Sequence, residues 1–178
     1  MQAFEFAVLD WIQTNMRCEV LDFLMPVITH LGDKGLIWIV LAVIMLFIRK
    51  TRFCGLTLGV GLGASGLLCN VFIKEAVDRA RPIWINPDVE MLIRIPTDFS
   101  FPSGHTSASF TAATILFLYN KRFGIPAFIL AALIGFSRLY LYVHFPSDVL
   151  AGMFLGILIG ILSFVILKKI SLRRASRS

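Results

Sequence analysis

Two cations near the middle of the chain, Lys74 and Arg81, have a spacing that suits the binding of an anion. They lie seven positions apart, so on a continuous helix they share one face and are separated by about two turns. Pro82 follows directly and predicts that the helix ends at Arg81. Cations at the ends of membrane helices also reach toward lipid head groups, so this pair alone leaves both interpretations open.

A second group of residues follows at Pro102-Ser103-Gly104-His105. Ser103 is a good N-cap residue, and a helix that begins here directs its free backbone N–H groups at an anion. Gly104 allows the backbone to come close to a phosphate, and His105 can donate a proton near neutral pH. Simple capping of a helix is the alternative explanation for the Ser-Gly pair.

The third group contains Arg138, His144 and Asp148. The guanidinium of Arg138 presents several donors in one plane, which suits phosphate oxygens. His144 and Asp148 are four positions apart, and with Pro146 at the start of a last helix the carboxylate is expected to contact one imidazole nitrogen. The other nitrogen is then unprotonated and able to attack an electrophile. An acidic residue at a helix start and an interfacial histidine are the alternative.

Together the three groups supply three cations, two of the chain's three histidines and one orienting carboxylate. Ionisable residues at membrane segments indicate a functional site. The chain has no cluster of Cys, His and Asp with the spacing of metal ligands, so the sequence predicts neither a metal nor another cofactor. The chemistry predicted from the residues is phosphoryl transfer without metal, with a histidine as the nucleophile.

The composition places these groups in a membrane protein. The 178 residues suit a single domain, 1–178; 57% are apolar and 16% charged, and the mean hydropathy is +0.81. This apolar surface exceeds what a soluble core of this size can bury, which excludes a soluble globule, a disordered chain and a fibrous repeat. The basic residues behind the net charge of +6 fall between apolar runs, so they indicate orientation in the bilayer, and nucleic acid is not expected as a partner.

Charged residues divide the chain into an expected all-α bundle of six crossings. The expected crossings are Val20–Leu31, Gly35–Ile48, Phe53–Ile73, Ser103–Tyr119, Phe123–Val143 and Pro146–Leu167. A helix over about residues 3–16 is expected to lie in the membrane interface, and a basic tail, 168–178, to follow in the cytoplasm. Glycines spaced by four favour internal helix packing over a dimer seam, and they leave the oligomeric state open: Gly55, Gly59, Gly63, Gly152, Gly156 and Gly160.

Three clusters of Lys and Arg predict the orientation. They follow the second, fourth and sixth expected crossings and contain no acidic residue: Arg49, Lys50 and Arg52; Lys121 and Arg122; and Lys168, Lys169, Arg173, Arg174 and Arg177. Because such clusters remain in the cytoplasm, the opposite helix ends are expected to face outward. The prediction is a multi-pass protein of the cell membrane with its active site at the extracytoplasmic helix ends.

The order and spacing of these residues resemble the signature of the type 2 phosphatidic acid phosphatase family. Every fixed position of its three parts is present over residues 74–148: Lys74 with six residues before Arg81-Pro82, then Pro102-Ser103-Gly104-His105, then Ser137-Arg138 with five residues before His144 and three before Asp148. The resemblance implies a six-helix integral membrane lipid phosphatase.

The resemblance also implies a role for each residue. The residues implied to bind phosphate are Lys74, Arg81, Ser103, Gly104 and Arg138. His144 is implied to attack phosphorus and to carry a phosphohistidine, while Asp148 orients it and His105 protonates the leaving oxygen. His105 or a partner residue is then implied to assist water in hydrolysing the phosphoenzyme.

The expected substrate is a lipid phosphate or diphosphate in the bilayer, with preference for an isoprenoid diphosphate such as undecaprenyl diphosphate. A glycerophospholipid phosphate, either phosphatidylglycerophosphate or phosphatidate, is the main alternative, because the signature reads the phosphate and not the tail. A vanadate-dependent haloperoxidase and a non-enzymatic lipid-phosphate carrier are the remaining alternatives. Arg94 is a candidate for a second phosphate or a solvated loop residue, His30 is assigned to the interface or the rim of the site, and Asp98 to solvent.

Overall fold

The structure of the protein, a computed structural model, describes residues 2–175, and every regular element in that range is helical. The helices are α1 (Gln2–Asn15), α2 (Glu19–Leu31), α3 (Leu36–Phe47), α4 (Arg52–Gly66), α5 (Lys74–Val77), α6 (Pro82–Ile85), α7 (Gly104–Tyr119), α8 (Lys121–Tyr140) and α9 (Pro146–Ala175). A 3-10 turn, Asp33–Gly35, joins α2 to α3, and a π-helical stretch, Leu67–Ile73, joins α4 to α5. The predicted all-α class is confirmed.

Three stretches within the described residues have the length and hydropathy to span a bilayer: Arg52–Ile85, Lys121–Tyr140 and Pro146–Arg173. α2 and α3 meet at a bend of 43°, so α3 continues in roughly the direction of α2, and the pair forms a fourth candidate. α7 has 16 residues and is about 24 Å long, which is shorter than an ordinary span. The part of the chain that the structure describes thus has three to four membrane-capable helices, fewer than the six crossings expected.

The polar break between α2 and α3 explains most of this difference. Two separate crossings, Val20–Leu31 and Gly35–Ile48, were expected on either side of this break. In the structure Lys34 and Gly35 adopt left-handed conformations, with φ of 52° and 70°. These two residues bend the chain without reversing it, and the bend leaves Asp33 beside the cavity described below.

α7 lies at the centre of the bundle and packs against α4, α8 and α9. Its buried residues are mostly small, which lets the neighbouring backbones approach closely: Thr106, Ser107, Ser109, Thr111, Ala112 and Ala113. The glycines of α9 face this surface, since a Cβ at Gly156 would lie 2.4 Å from the backbone oxygen of Ser107. Internal packing, which the sequence favoured for the α9 glycines, is confirmed.

The glycines of α4 divide into two kinds. A Cβ at Gly55 would lie 2.7 Å from the backbone oxygen of Ala42 in α3, so this glycine is part of a tight helix contact. No atom lies within 4 Å of a Cβ built at Gly59 or Gly63. The same face of α4 therefore begins as a packing surface and continues as the wall of an open groove.

The outer surface of the bundle is apolar, as a bilayer requires. On α9, for example, Phe154 is 66% exposed and Leu158 is 54% exposed. α9 also continues past Leu167 to Ala175, so residues 168–175 of the expected tail are helical. Residues 176–178, with the predicted cytoplasmic Arg177, lie outside the described residues.

The helix connectivity separates the basic clusters from the signature residues. The α3–α4 and α7–α8 connections lie together, since the Tyr119 hydroxyl donates to the Lys50 backbone oxygen. The signature residues occupy the other ends of the same helices, at the end of α4–α5, the start of α7, the end of α8 and the start of α9. α1 covers this second end, where Leu9 packs with Tyr142 and Phe145.

Candidate active site

Six of the eight residues predicted for the site line one cavity of about 1140 Å³: Lys74, Arg81, Gly104, His105, Arg138 and His144. The remaining two, Ser103 and Asp148, are fully buried and contact the residues of this lining. Elements far apart in sequence thus bring all three parts of the signature to one place.

Lys74 and Arg81 meet in the cavity, but they do not share a helix face. α5 ends at Val77, because Asp78 adopts a left-handed conformation (φ 49°, ψ 42°) that a regular helix does not continue through. Arg81 is extended (φ −78°, ψ 153°) directly before Pro82, as a residue before proline prefers to be. The predicted continuous helix to Arg81 is therefore wrong, and the break lets the chain turn the Arg81 side chain inward.

Asp98 bridges the two cations. Its Oδ1 accepts a hydrogen bond from Arg81 Nη2 at 2.7 Å, and its Oδ2 pairs with Lys74 Nζ. Burial raises the pKa of Asp98, but the hydrogen bonds and positive charges of Lys74 and Arg81 outweigh it and lower the pKa to about 2. Assignment of Asp98 to solvent was therefore wrong, because this carboxylate lies on the two cations predicted to hold phosphate.

Arg138 is buried in the last turn of α8, with 3% of its surface exposed. Its Nη1 donates to the hydroxyl of Thr29 at 2.5 Å. Within the described residues its Nε has no hydrogen-bond partner. A buried donor without a partner costs on the order of 1–3 kcal/mol, so the site holds an unused donor that an anionic ligand can satisfy.

The start of α7 has the predicted N-cap. Ser103 Oγ accepts hydrogen bonds from the backbone N–H of Thr106 at 3.4 Å and from its hydroxyl at 2.9 Å, which confirms the capping prediction. Gly104, the first residue of α7, faces Asn70, whose Oδ1 would lie 2.6 Å from an added Cβ. A side chain at Gly104 would therefore clash with the π-helical stretch that contains Asn70.

His105 is held by a carboxylate that sequence analysis did not assign to the site. Its Nε2 lies 2.8 Å from Asp33 Oδ1, and the other oxygen, Oδ2, lies 2.8 Å from His30 Nδ1. Asp33 and His30 both line the cavity. The expectation that His30 belongs to the rim of the site is confirmed in position, and Asp33 connects it to His105.

His144 and Asp148 lie side by side, but the direct contact is longer than predicted. His144 Nδ1 is 3.6 Å from Asp148 Oδ2, which is too long for a hydrogen bond. Ser100 lies between them: its hydroxyl donates to Asp148 Oδ2 at 2.5 Å and is 3.4 Å from His144 Nδ1. Because Asp148 Oδ2 also accepts from the Phe145 backbone N–H at 2.8 Å, the carboxylate is fixed by donors other than the imidazole.

The other imidazole nitrogen of His144 faces the cations. Nε2 lies 3.1 Å from Arg81 Nη1, an arrangement in which the guanidinium donates and Nε2 carries the lone pair. Burial, followed by the positive charges of Arg81 and Arg138, holds the pKa of His144 well below its usual range. The site therefore presents a neutral imidazole beside three cations, with the Nε2 lone pair directed at Arg81.

Sequence reasoning missed Asp33, Asp98 and Ser100. Ser100 stands between Phe99 and Phe101, and this polar residue between two aromatic ones was the available signal. The sequence neighbours of Asp98 and Asp33 do not indicate that these residues belong to the site. Their partners there, Lys74 and His105, lie 24 and 72 positions away.

The fold and the site define an all-helical membrane protein whose helix ends converge on a cationic cavity with two histidines. The sequence pattern of the PAP2 superfamily matches residues 55–171. The chain is 35% identical over 145 residues to the undecaprenyl-diphosphatase of Sulfolobus acidocaldarius, covering 80% of this chain and 69% of that protein. It is 37% identical over 153 residues to phosphatidylglycerophosphatase B of Bacillus subtilis, covering 78% of this chain and 71% of that protein.

A solved structure agrees with these similarities. The crystal structure of the PAP2-type phosphatidylglycerolphosphate phosphatase from Bacillus subtilis matches with a TM-score of 0.79 at 34% identity, covering 95% of this chain and 87% of that one. The protein belongs to the PAP2 superfamily, and the family predicted from the signature is confirmed. It is a lipid phosphatase.

Proposed function

We propose that the protein hydrolyses an isoprenoid diphosphate at the extracytoplasmic face of the membrane, without metal and through a phosphohistidine on His144. The observation that carries this proposal is the position of His144 Nε2, which is neutral and 3.1 Å from Arg81 Nη1 in a cavity with two further cations. A nucleophile beside the groups that neutralise the phosphate oxygens is the geometry that phosphoryl transfer requires.

Binding of the terminal phosphate is assigned to Lys74, Arg81 and Arg138. In the free enzyme Asp98 neutralises the first two, so the phosphate must displace the Asp98 carboxylate or share the cations with it. The unpartnered Nε of Arg138 and the backbone N–H groups at the start of α7 supply the remaining donors. In residues 2–175 no three His, Cys, Asp or Glu side chains are grouped as metal ligands, so the cations supply the electrostatic stabilisation in this proposal.

The first chemical step forms the P–N bond between phosphorus and His144 Nε2. The bridging P–O bond between the terminal phosphorus and the rest of the diphosphate breaks, the lipid monophosphate departs, and His105 gives its proton to the departing oxygen. Asp148 and Ser100 lie next to Nδ1 and stabilise the positive charge that develops on the imidazole.

The second step returns the enzyme to its starting state. Water attacks phosphorus, His105 takes the proton of that water, and the P–N bond breaks to release inorganic phosphate. The same residue thus serves as acid and then as base, and the Asp33 carboxylate, 2.8 Å from its Nε2, orients it and favours the protonated imidazole.

A lipid substrate agrees with the shape of the cavity. From the cations the cavity extends between α3 and α4, where Ile39, Val43 and Leu46 line it together with Gly59 and Gly63. An added Cβ at either of these two glycines would meet no atom of the described residues within 4 Å, so the groove is open beside them. The relative from Sulfolobus acidocaldarius is named for the undecaprenyl diphosphate on which we centre the proposal.

The second phosphate of a diphosphate has candidate partners in Lys34 and Arg94, which line the same cavity beyond the three signature cations. A glycerophospholipid monophosphate does not need these residues, although the Bacillus subtilis relative carries that substrate in its name. Substitution of Arg94 therefore discriminates between the two substrate classes, since it should impair only the diphosphate reaction.

The test is a phosphate-release assay with the purified protein in detergent. Undecaprenyl diphosphate, phosphatidylglycerophosphate and phosphatidate are compared, with the His144→Ala variant as the blank. We expect the highest kcat/KM with undecaprenyl diphosphate and no turnover in the variant. A higher kcat/KM with phosphatidylglycerophosphate would transfer the assignment to glycerophospholipids, and release no greater than that of the variant would refute the catalytic proposal.

The proposed orientation has a separate test. In a cysteine-free protein, Cys introduced at Arg94 is expected to react with a membrane-impermeant maleimide on intact cells, whereas Cys introduced at Lys121 is not. The reverse pattern would place the site in the cytoplasm.

A further inference from the structure

Asp148 has a partner that does not belong to the signature. Arg79 Nη1 donates to Asp148 Oδ1 at 2.6 Å, while Oδ2 faces Ser100 and His144. The two oxygens of this fully buried carboxylate therefore do different things. Oδ1 accepts a hydrogen bond from the Arg79 guanidinium, and Oδ2 faces the catalytic His144 and the bridging Ser100.

Arg79 is in turn held by a residue of α1. Its Nη2 donates to Glu5 Oε2 at 2.5 Å, and its guanidinium lies 4.1 Å from the centre of the Phe145 ring. Glu5 Oε1 accepts from the backbone N–H of Ser147 at 3.2 Å and also from its hydroxyl. Glu5 thus accepts hydrogen bonds from both Arg79 and Ser147, the residue immediately before Asp148.

Burial makes these contacts interdependent. Glu5 is 5% exposed and Asp148 is not exposed, so each carboxylate needs a positive or hydrogen-bonding partner. Burial raises the pKa of Glu5, but hydrogen bonds from Ser147 and Arg79 outweigh it and lower the pKa, so Glu5 is ionised. A single guanidinium therefore lies between two ionised or ionisable carboxylates, and its direction is fixed by both.

We propose that Glu5 and Arg79 are positioning residues for the catalytic pair of His144 and Asp148, so that α1 belongs to the catalytic unit. Arg79 fixes Asp148 so that Oδ2 stays toward Ser100 and the imidazole, and Glu5 keeps Arg79 in place. α1 lies outside residues 55–171, which match the family pattern. The inference rests on the proposed role of His144 as nucleophile.

The same helix offers a matched control. Asp10, also on α1, accepts a hydrogen bond from the Tyr142 hydroxyl at 2.7 Å. This bond fastens α1 to the same end of the bundle without touching Arg79 or Asp148. Asp10→Asn therefore weakens the attachment of α1 by one carboxylate contact, whereas Glu5→Gln weakens an attachment and also loosens Arg79.

The test measures kcat, KM and the phosphohistidine level, trapped by acid-free quenching with a radiolabelled substrate, for Glu5→Gln, Arg79→Met, Arg79→Lys and Asp10→Asn. We expect Glu5→Gln and Arg79→Met to lower kcat and the rate of phosphohistidine formation by about 10- to 100-fold, with KM changed by less than about threefold. Arg79→Lys should recover part of the loss, because it restores the charge. Asp10→Asn should keep kcat within about twofold of the wild type.

A kcat in Glu5→Gln and Arg79→Met equal to that of the wild type would overturn the inference. Equal losses in Glu5→Gln and Asp10→Asn would also overturn it, since α1 would then act only through docking. The double variant should lose no more than Arg79→Met alone, because both residues act through one contact to Asp148. If Arg79→Met does not fold, as judged by its thermal unfolding in detergent, the comparison of kcat between Glu5→Gln and Asp10→Asn still tests the inference.

Wild-type turnover separates this inference from the proposed function. If the wild type releases no phosphate from any lipid, or if His144→Ala retains activity, the proposed mechanism fails. If the wild type is active, His144→Ala is inactive and Glu5→Gln is fully active, the mechanism stands and the role of α1 is refuted.

Discussion

Removal of the Ser100 hydroxyl isolates the bridge between Asp148 and His144. Ser100, Asp148 and His144 are each no more than 1% exposed, so water does not replace the lost hydroxyl without rearrangement. In Ser100→Ala the carboxylate keeps the Phe145 N–H at 2.8 Å and Arg79 at 2.6 Å, but loses its donor at 2.5 Å on the side of the imidazole.

The expected magnitude follows from this one contact. A hydrogen bond to a charged group contributes on the order of 1.5–3 kcal/mol. If this contribution acts fully in the transition state, where the imidazole gains positive charge, kcat falls by about 10- to 100-fold. KM should change little, because Ser100 is not among the residues that line the cavity.

Single-turnover formation of phosphohistidine and steady-state phosphate release measure this loss. Ser109→Ala is the control, since Ser109 is also fully buried and loses one hydrogen bond, the one from Trp38 Nε1 at 3.0 Å, which involves neither Asp148 nor His144. A kcat for Ser100→Ala equal to that of Ser109→Ala would refute the bridging role. A loss confined to KM would equally contradict it.

Four further outcomes are expected. His105→Ala should slow turnover most with poor leaving groups, and equal losses for lipid phosphate and nitrophenyl phosphate would exclude its role as the acid. Excess EDTA should leave phosphate release unchanged, and a loss that magnesium restores would contradict the metal-independent mechanism. Gly63→Leu should fill the open groove beside α3. It should raise KM for a long-chain lipid phosphate and leave KM for nitrophenyl phosphate unchanged. Equal changes in KM for both substrates would show that the lipid does not bind in this groove. Burial and nearby cations lower the pKa of His144. Protonation of its Nε2 should therefore reduce kcat/KM only well below about pH 6.5, the ordinary pKa of histidine. Loss of activity through protonation of His144 at or above that pH would contradict the lowered pKa.

The local features of the chain were predictable from the sequence because they depend on neighbouring residues. Ser103 is predictable as an N-cap because its hydroxyl lies three positions before Thr106, whose backbone N–H donates a hydrogen bond to it. The start of α9 at Pro146 and the span of α8 follow from proline chemistry and from the length of apolar runs. The family followed from the order and spacing of the signature residues over positions 74–148.

The path of the chain between these features was decided by tertiary structure. Asp78 and Lys34 each adopt a left-handed conformation that their sequence neighbourhoods do not demand. At Asp78 the result is a helix that ends at Val77, three residues after Lys74, and at Lys34 it is a bend between two segments that were expected to be separate crossings. Each conformation accompanies a charged side chain that lines the cavity, Arg81 in the first case and Asp33 in the second.

By itself, then, the sequence determined that this is a helical membrane phosphatase, and it predicted eight residues of the site, six of which line one cavity. It did not determine how those residues are held. Asp98 lies on Lys74 and Arg81, Ser100 lies between Asp148 and His144, and Glu5 reaches Ser147 over a separation of 142 positions. The physical reason is that a motif records residues whose chemistry acts on the substrate. The hydrogen-bond partners of those residues are determined by helix packing, which brings together the donors and acceptors that lie at the helix ends.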